Sequence, residues 1–267
     1  MALINPKYSN LPKKSNIQGF WRLEETSGTR YDLSTNKNNL TDNNTVGYAI
    51  GKIGNAADFE ASNLEYLSIT DAAQTGLDIT GEITISCWIK PESINSTYII
   101  ISKWKAGGMS YSLAQRYMGE IQNQIMFQLS SDGSALTAAY SSSKVSAGNW
   151  YHIAATLNQT TDKMQVYFNG AADGSAISYT SNIYNSNTQF NIGVTGNMEY
   201  YYDGLIDEAI IWNTCLTADE IADVYAITSE DMYGKKLGIL AWWFCRDSWE
   251  KHDKIWKPKI LKPEFEI

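Results

Sequence analysis

The chain has 267 residues, a formal net charge of −8 at pH 7 and 43% hydrophobic residues. A chain of this length buries roughly three quarters of the surface it exposes when unfolded, so its core needs no disulfides. Lys and Arg slightly outnumber Asp and Glu in residues 228–267, so the acidic excess falls on residues 1–227. So acidic a surface excludes the basic stripe that nucleic-acid binding requires.

The cysteines Cys87, Cys215 and Cys245 have unrelated spacings, which predicts buried thiols rather than a disulfide framework. The N-terminal residues lack the apolar stretch of a secretory signal. No apolar run approaches the length of a membrane span, so we predict no membrane-spanning segment.

Residues 1–15 are polar and contain Pro6, Pro12 and a pair of lysines, and we predict an N-terminal arm. Short runs rich in Ile, Val, Thr and aromatic residues then recur, each closed by turn residues, which is typical of strands. The predicted strands are residues 17–23, 56–59, 66–69, 83–89, 98–103, 109–115, 124–129, 136–140, 150–157, 163–168, 189–192 and 204–212.

The run 83–89 alternates most clearly, with Ile, Ile, Cys and Ile on one face and Thr, Ser and Trp on the other. Large residues on both faces predict a strand that is covered on both sides or faces a groove. The dipeptides Asn169-Gly170 and Asp173-Gly174 are strong hairpin signals. We therefore predict an all-β, antiparallel, two-sheet sandwich or jelly roll.

One short helix is predicted near the end of this region. Thr217 and Glu220 are spaced as a capping box, in which each side chain binds a backbone amide of the first turn. Leu216, Ile221 and Val224 follow at helical spacing, so the helix should cover one end of the sandwich.

Six segments of residues 16–227 occur in the order known from one family. They are Gly19–Gly28, Gly51–Ala56 followed by Phe59, Thr84–Pro91, Gly148–Ala154, Val166–Gly170 and Asp203–Asn213 with the helix after it. In these segments the chain resembles the laminin-G-like domains of the concanavalin A-like lectin/glucanase superfamily, of the type found in bacterial and phage proteins. The resemblance implies a jelly-roll sandwich. It says little about function, because the family includes lectins, adhesion modules, enzyme appendages and virion parts.

The resemblance also implies one structural calcium between the first and last strands. Glu24 and Asp207 match that site, and Asp32 and Asp203 are further candidates. In the alternative interpretation, Asp207 and Glu208 only accept hydrogen bonds from turn amides or pair with basic side chains.

Catalytic chemistry is not expected. The glucanases of this fold carry two carboxylates on one face of one strand, and no such motif occurs here. Asp207 and Glu208 are adjacent and should point to opposite faces of a strand. His152 and His252 lie in no recognisable catalytic context.

Aromatic side chains near predicted loops are candidates for stacking on a sugar ring. The expected ligand-binding residues are Trp104, Tyr111, Tyr117, Tyr179, Tyr184, Tyr200 and Tyr201. These aromatics could equally cover sheet edges or meet another subunit.

Residues 228–267 lie outside the resemblance and are unusually rich in tryptophan. The residues expected to dock on a partner are Trp242, Trp243, Phe244, Trp249 and Trp256. So apolar a tail should bury itself, either on other subunits of a particle or homo-oligomer, or as a cap on its own domain.

We therefore expect a non-catalytic, lectin-like display or adhesion protein on a virion or phage surface, or otherwise extracellular, that contacts cell-surface glycan. The alternatives are a free carbohydrate-binding module and, less favoured, a glycoside-active enzyme.

Overall fold

The computed structural model describes residues 6–118 and 121–229, with side chains for residues 8–116 and 122–229. In these ranges the chain forms one eight-stranded and one seven-stranded sheet, in which every pairing between neighbouring strands is antiparallel. The predicted two-sheet antiparallel sandwich is confirmed.

Strands are numbered along the chain. The eight-stranded sheet contains β1 (Ile17–Trp21), β3 (Gly47–Ile50), β4 (Asn55–Phe59), β6 (Ile83–Pro91), β11 (Tyr151–Asn158), β12 (Lys163–Phe168), β13 (Ala171–Ser178) and β15 (Gly204–Trp212). The seven-stranded sheet contains β2 (Thr41–Asn43), β5 (Tyr66–Ile69), β7 (Tyr98–Lys103), β8 (Tyr111–Met118), β9 (Ile121–Leu129), β10 (Thr137–Lys144) and β14 (Phe190–Ile192). The first sheet has the order β13-β12-β11-β6-β15-β4-β3, with β1 also beside β15, and the second has the order β10-β9-β8-β7-β14-β5-β2.

The main core lies between the sheets, and β6 illustrates how the sequence builds it. Ile83, Ile85, Cys87 and Ile89 belong to this core, as their alternation predicts. The opposite face of β6 is also buried, so the strand is covered on both sides. Burial in the core raises the pKa of the Cys87 thiol, which is therefore inert.

A second apolar layer covers the outer face of the eight-stranded sheet. The helix α1 (Ala218–Ser229) contributes Ile221 and Val224 to it, and the N-terminal turn Pro6–Asn10 contributes Tyr8. The described part of the predicted N-terminal arm thus packs on the sheet rather than extending from it. The predicted capping box is present, with Glu220 N–H donating to Thr217 Oγ1 at 3.2 Å and Thr217 N–H to Glu220 Oε2 at 2.8 Å.

The described part of α1 runs to Ser229, past the predicted domain boundary at 227. Thr228 belongs to the folded body, because Trp88 Nε1 donates a hydrogen bond of 2.8 Å to its hydroxyl group. The predicted docking residues Trp242, Trp243, Phe244, Trp249 and Trp256 lie outside the described residues. Among the described residues, no helix is both long and apolar enough to cross a membrane.

Candidate functional site

A polar pocket opens at the end of the seven-stranded sheet where β5 and β7 end and β14 begins. Ile69 pairs with Phe190 and Ser102 pairs with Asn191, so the turns after β5 and β7 lie beside the segment that leads into β14. The pocket has a volume of about 470 Å3. Its lining residues are Thr70, Asp71, Ala72, Lys105, Asn187, Thr188, Gln189 and Gly196.

Lys103, the last residue of β7, holds these turns together from beneath the pocket. Its side chain is 0% exposed, and its Nζ lies 2.5 Å from Asp71 Oδ1 and 2.9 Å from Asp78 Oδ1. The same ammonium group donates to the carbonyl oxygens of Ser186 at 2.5 Å and Thr188 at 2.8 Å. Because a buried cation must keep its partners, this network fixes Asp71 and the segment 186–188 relative to each other.

Further hydrogen bonds fix the rest of the lining. The hydroxyl oxygens of Ser186 and Thr188 lie 2.6 Å and 3.1 Å from the Gly108 carbonyl oxygen. Gln189 Nε2 donates to Asn191 Oδ1 at 2.8 Å, while Asn191 Nδ2 is buried with no hydrogen-bond partner. The side chains of Asp71, Thr188 and Gln189 are therefore held in place before any ligand arrives.

The lining offers hydroxyl, amide, ammonium and carboxylate groups, which suit a ligand rich in hydroxyl groups. Asp71 is the only carboxylate among the lining residues. Glycoside hydrolysis by the usual mechanism requires a pair of carboxyl groups. The lining therefore offers donors and acceptors to a hydroxyl-rich ligand and one carboxylate, where that mechanism uses two.

Sequence reasoning missed Asp71, Asn187 and Gln189. Asp71 lies in the turn after β5, whereas Asn187 and Gln189 lie much later in the chain, in the segment before β14. Polar residues beside a short strand are common. Only the strand order β7-β14-β5 brings them together, and that order cannot be read from strand patterns alone.

Three aromatics that were expected to be exposed are buried, so that part of the prediction is wrong. Trp104 is 7% exposed, Tyr111 0% and Tyr179 6%. The Tyr111 hydroxyl donates to the Leu77 carbonyl oxygen at 3.0 Å, and burial raises its pKa. Burial and nearby Asp132 raise the pKa of Tyr179 to about 12. Tyr111 belongs to the core between the sheets because its position on β8 faces inward, and Tyr179, just after β13, belongs to the same core. Trp104 is buried in the segment directly after β7.

The remaining aromatic candidates are accessible to different degrees. Tyr184 is 37% exposed and Tyr200 51%. Tyr201 is half-buried and makes an edge contact with the Tyr66 ring, at 6.2 Å between centroids. The Tyr117 side chain lies outside the described residues. A ligand role for these four residues stays a prediction.

The adjacency of Asp207 and Glu208 predicted that they point to opposite faces of β15, and this prediction is wrong. Asp207 pairs with Trp88 and Ile210 pairs with Ser86, so β15 carries an extra residue at this point. Glu208 takes the left-handed conformation, with φ of 50°. A bulge of this kind sends both carboxylates to the outer face of the sheet.

Both carboxylates are buried, and they have different partners. Tyr8 Oη donates to Glu208 Oε1 at 2.5 Å, and Arg22 Nε lies 3.3 Å from the same oxygen. The backbone N–H groups of Lys52 and Ile53 donate to Asp207 Oδ2, whereas Oδ1 is buried without a hydrogen-bond partner. Burial, and then the charge of Glu208, raise the pKa of Asp207 well above its ordinary value.

The other predicted metal ligands have separate roles. Asp32 does not fit a metal site, because its carboxylate already accepts hydrogen bonds from the N–H groups of Phe20, Ser34 and Asn38, at 2.7–2.8 Å. Glu24 binds Arg22 through Oε1 and accepts the Asn55 N–H at Oε2.

Asp203 lies in another acidic group, which the sequence did not single out. Asp58, Glu60 and Glu92 each offer an oxygen, and these oxygens lie within 4.8 Å of one another. Burial, and then the charge of Asp203, raise the pKa of Asp58. Asp203 Oδ1 itself accepts the Ala61 N–H at 3.3 Å.

Ser86 and His152 form a hydrogen-bonded pair, with 2.8 Å between Oγ and Nε2. This pair is not placed for catalysis, since the side chains are buried beneath Trp88 and Tyr225. Burial lowers the pKa of His152 to about 3, and Nδ1 has no hydrogen-bond partner. The imidazole is therefore a neutral packing group, in keeping with the absence of a recognisable catalytic context in the sequence.

Comparison with protein families gives one match. The model for the laminin-G type of the concanavalin A-like lectin/glucanases superfamily matches residues 62–222. This range runs from β5 through the start of α1 and includes every residue that lines the polar pocket. No curated protein matches the chain.

Several solved structures share the fold at low identity. Domain 4 of AbnA, a GH43 extracellular arabinanase from Geobacillus stearothermophilus in complex with arabinotriose, is 22% identical, with a TM-score of 0.60 over 79% of this chain and 98% of that one. The binding domain of Paraclostridial Mosquitocidal Protein 1 is 17% identical, with a TM-score of 0.62 over 79% of this chain and 52% of that one. A structure of botulinum neurotoxin type C, a toxin whose cell entry is described as dependent on interaction with two ganglioside molecules, is 14% identical. Its TM-score is 0.60 over 84% of this chain and 53% of that one. The chain thus spans about half the length of these toxin domains.

Proposed function

Because the chain belongs to the concanavalin A-like lectin/glucanases superfamily, we propose that it binds carbohydrate without cleaving it, through the polar pocket. The observation that carries this proposal is a pocket of about 470 Å3 in which six of the eight lining residues have polar side chains, with Asp71 and the segment 186–188 held by the buried Lys103. Preset donors and acceptors favour a ligand with many hydroxyl groups, because little entropy is lost in ordering the site.

The structural neighbours support a binding role. One is a domain in complex with arabinotriose, and others are toxin binding domains, one of them described with ganglioside interaction. Because of these neighbours, sugars are the first ligands to test. The same neighbours support a surface or extracellular location for the chain.

The proposal of a non-catalytic role draws on the same pocket. A glycosidase needs an acid and a second carboxylate on the two sides of the scissile bond. The polar pocket supplies Asp71 alone, and the Ser86–His152 pair is buried beneath other side chains. The polar pocket therefore offers the glycoside-active alternative no pair of carboxylates.

A glycan array tests this function with a matched pair of variants. Asp71 and Asp78 both bind the Lys103 ammonium group and are similarly exposed, at 32% and 38%, but only Asp71 lines the pocket. Asp71→Asn should weaken binding of the array-selected sugar roughly tenfold to a hundredfold, the effect of losing a hydrogen bond to a charged group. Asp78→Asn should bind as the wild type does. Equal losses in both variants, or no sugar bound by the wild type, would refute the assignment.

The finer setting that we propose is display on a particle, a virion or phage surface in particular, with residues 230–267 as the attachment segment. Its support is the apolar, tryptophan-rich composition of that segment. The alternative is a free carbohydrate-binding module, which would need no such segment.

We also propose one structural calcium at Asp207, with Glu24 beside it. The supporting observation is the buried Asp207 Oδ1, which has no partner although a hard cation could bind it. Arg22 compensates Glu24 and Glu208 but makes no ion pair with Asp207 among the described residues. A bound calcium ion would supply the missing positive charge.

A further inference from the structure

A second cavity lies on the other sheet, between the N-terminal turn Pro6–Asn10, β1 and the loop of residues 22–37. We call it the lateral groove, and its volume is about 450 Å3. Leu33 N–H donates to the Phe20 carbonyl oxygen at 2.8 Å, and Phe20 N–H donates to Asp32 Oδ1 at 2.8 Å. These bonds fix the loop beside β1, so the groove is a preformed feature of the fold.

The floor and one wall of the lateral groove are apolar. Tyr8, Leu11 and Phe20 form the buried floor, at 6%, 5% and 4% exposure. Tyr31 and Leu33 form the wall and are 57% and 50% exposed. Two large apolar side chains held in water beside an apolar floor indicate a surface that gains from being covered.

The charges around the groove favour an anion, although the chain as a whole carries −8. Lys14 and Lys37 line it, and neither ammonium group takes part in an ion pair among the described residues. Their hydrogen bonds go to backbone carbonyl oxygens, at 3.3 Å and 3.5 Å. Of the two acidic lining residues, Glu24 is paired with Arg22, and Glu25 interacts with the charge of Arg30 and accepts the Tyr31 N–H at Oε1, while its Oε2 has no hydrogen-bond partner. The lining residues thus carry three positive and two negative charges.

We propose that the lateral groove binds a small amphiphile, an apolar chain or ring that ends in a carboxylate. The apolar part covers Tyr31 and Leu33 over the buried floor, and the carboxylate meets Lys14 and Lys37. The volume lies within the range of small-molecule sites. The lateral groove shares no residue with the polar pocket. A test of one site therefore does not decide the other.

Calorimetric titration of the full chain with decanoate tests the proposal. Decyltrimethylammonium serves as the comparison, because it has the same chain length and the opposite charge. We expect saturable binding of one decanoate per chain and no saturation with the cation. Exchange of both Lys14 and Lys37 for Gln should lower the affinity for decanoate roughly fivefold.

Leu33→Gln and Leu136→Gln form a matched pair, because each leucine is 50% exposed and only Leu33 lines the groove. Leu33→Gln should weaken decanoate binding roughly fivefold, whereas Leu136→Gln should leave it unchanged. Both substitutions are at exposed positions, so the fold should persist in each. Equal binding of the two amphiphiles, absence of saturation with decanoate, or an equal loss in the two leucine variants would overturn the proposal.

Discussion

Asp207 carries a carboxylate that is buried in the eight-stranded sheet and needs a proton or a cation to balance its charge. Its carboxylate is buried on the outer face, its pKa is raised, and one oxygen has no hydrogen-bond partner. A buried charge in this state is costly unless it takes a proton or a cation. Protonation and cation binding predict opposite changes in stability when the Asp207 carboxylate is replaced by an amide.

If calcium binds at Asp207, a chelator should lower the melting temperature of the wild type, because a ligand of the native state stabilises it. Asp207→Asn should melt lower than the wild type and no longer respond to the chelator. Asp223→Asn, at an exposed helix position, is the control and should keep the full chelator response. A wild-type melting curve that is indifferent to the chelator, together with a stabilised Asp207→Asn, would eliminate the calcium.

The residue scale also shows where sequence reasoning about the sites fails. Alternation assigns Asp207 and Glu208 to opposite faces, but the bulge with left-handed Glu208 puts them on the same face. An aromatic residue near a predicted loop looks like a sugar platform, but Tyr111 has an inward-facing strand position. Both outcomes depend on the register of neighbouring strands, which no local pattern specifies.

At the scale of elements, α1 owes its start to a local signal that the sequence contains in full. The capping box of Thr217 and Glu220 satisfies backbone amides of the first turn, as predicted. Thr217→Ala should therefore lower the free energy of unfolding by about 1 kcal/mol, measured by chemical denaturation. Thr161→Ala, at an exposed turn position, should change it little. Equal stability of the wild type and Thr217→Ala would mean that packing alone positions the helix.

Strands were predictable from the sequence where they are buried. β6 and β15 were recognised because most of their residues are apolar and enclosed. β2, β3 and β13 were missed because their side chains are mostly exposed or half-buried, which leaves no apolar alternation to detect. They lie at the ends of the two sheets, where pairing with a neighbour defines the strand. The polar pocket was missed for a related reason, since it depends on the strand order.

At the scale of the whole molecule, the proposal of particle display depends on residues 230–267. We expect the full chain to be oligomeric by size-exclusion chromatography with light scattering, because an exposed apolar segment gains from burial against another subunit. A chain that ends at Ser229 keeps all of α1 and should be a folded monomer. A monomeric full chain would favour the free carbohydrate-binding module instead.

The central claim is that a preset polar pocket binds sugar and leaves it intact. Titration calorimetry with the oligosaccharide selected on the glycan array tests both parts in one trace. The account predicts a saturating heat for the wild type and for Asp78→Asn, a strongly weakened one for Asp71→Asn, and a return to baseline after every injection. A steady heat of turnover, or an Asp71→Asn that binds as tightly as the wild type, would contradict it.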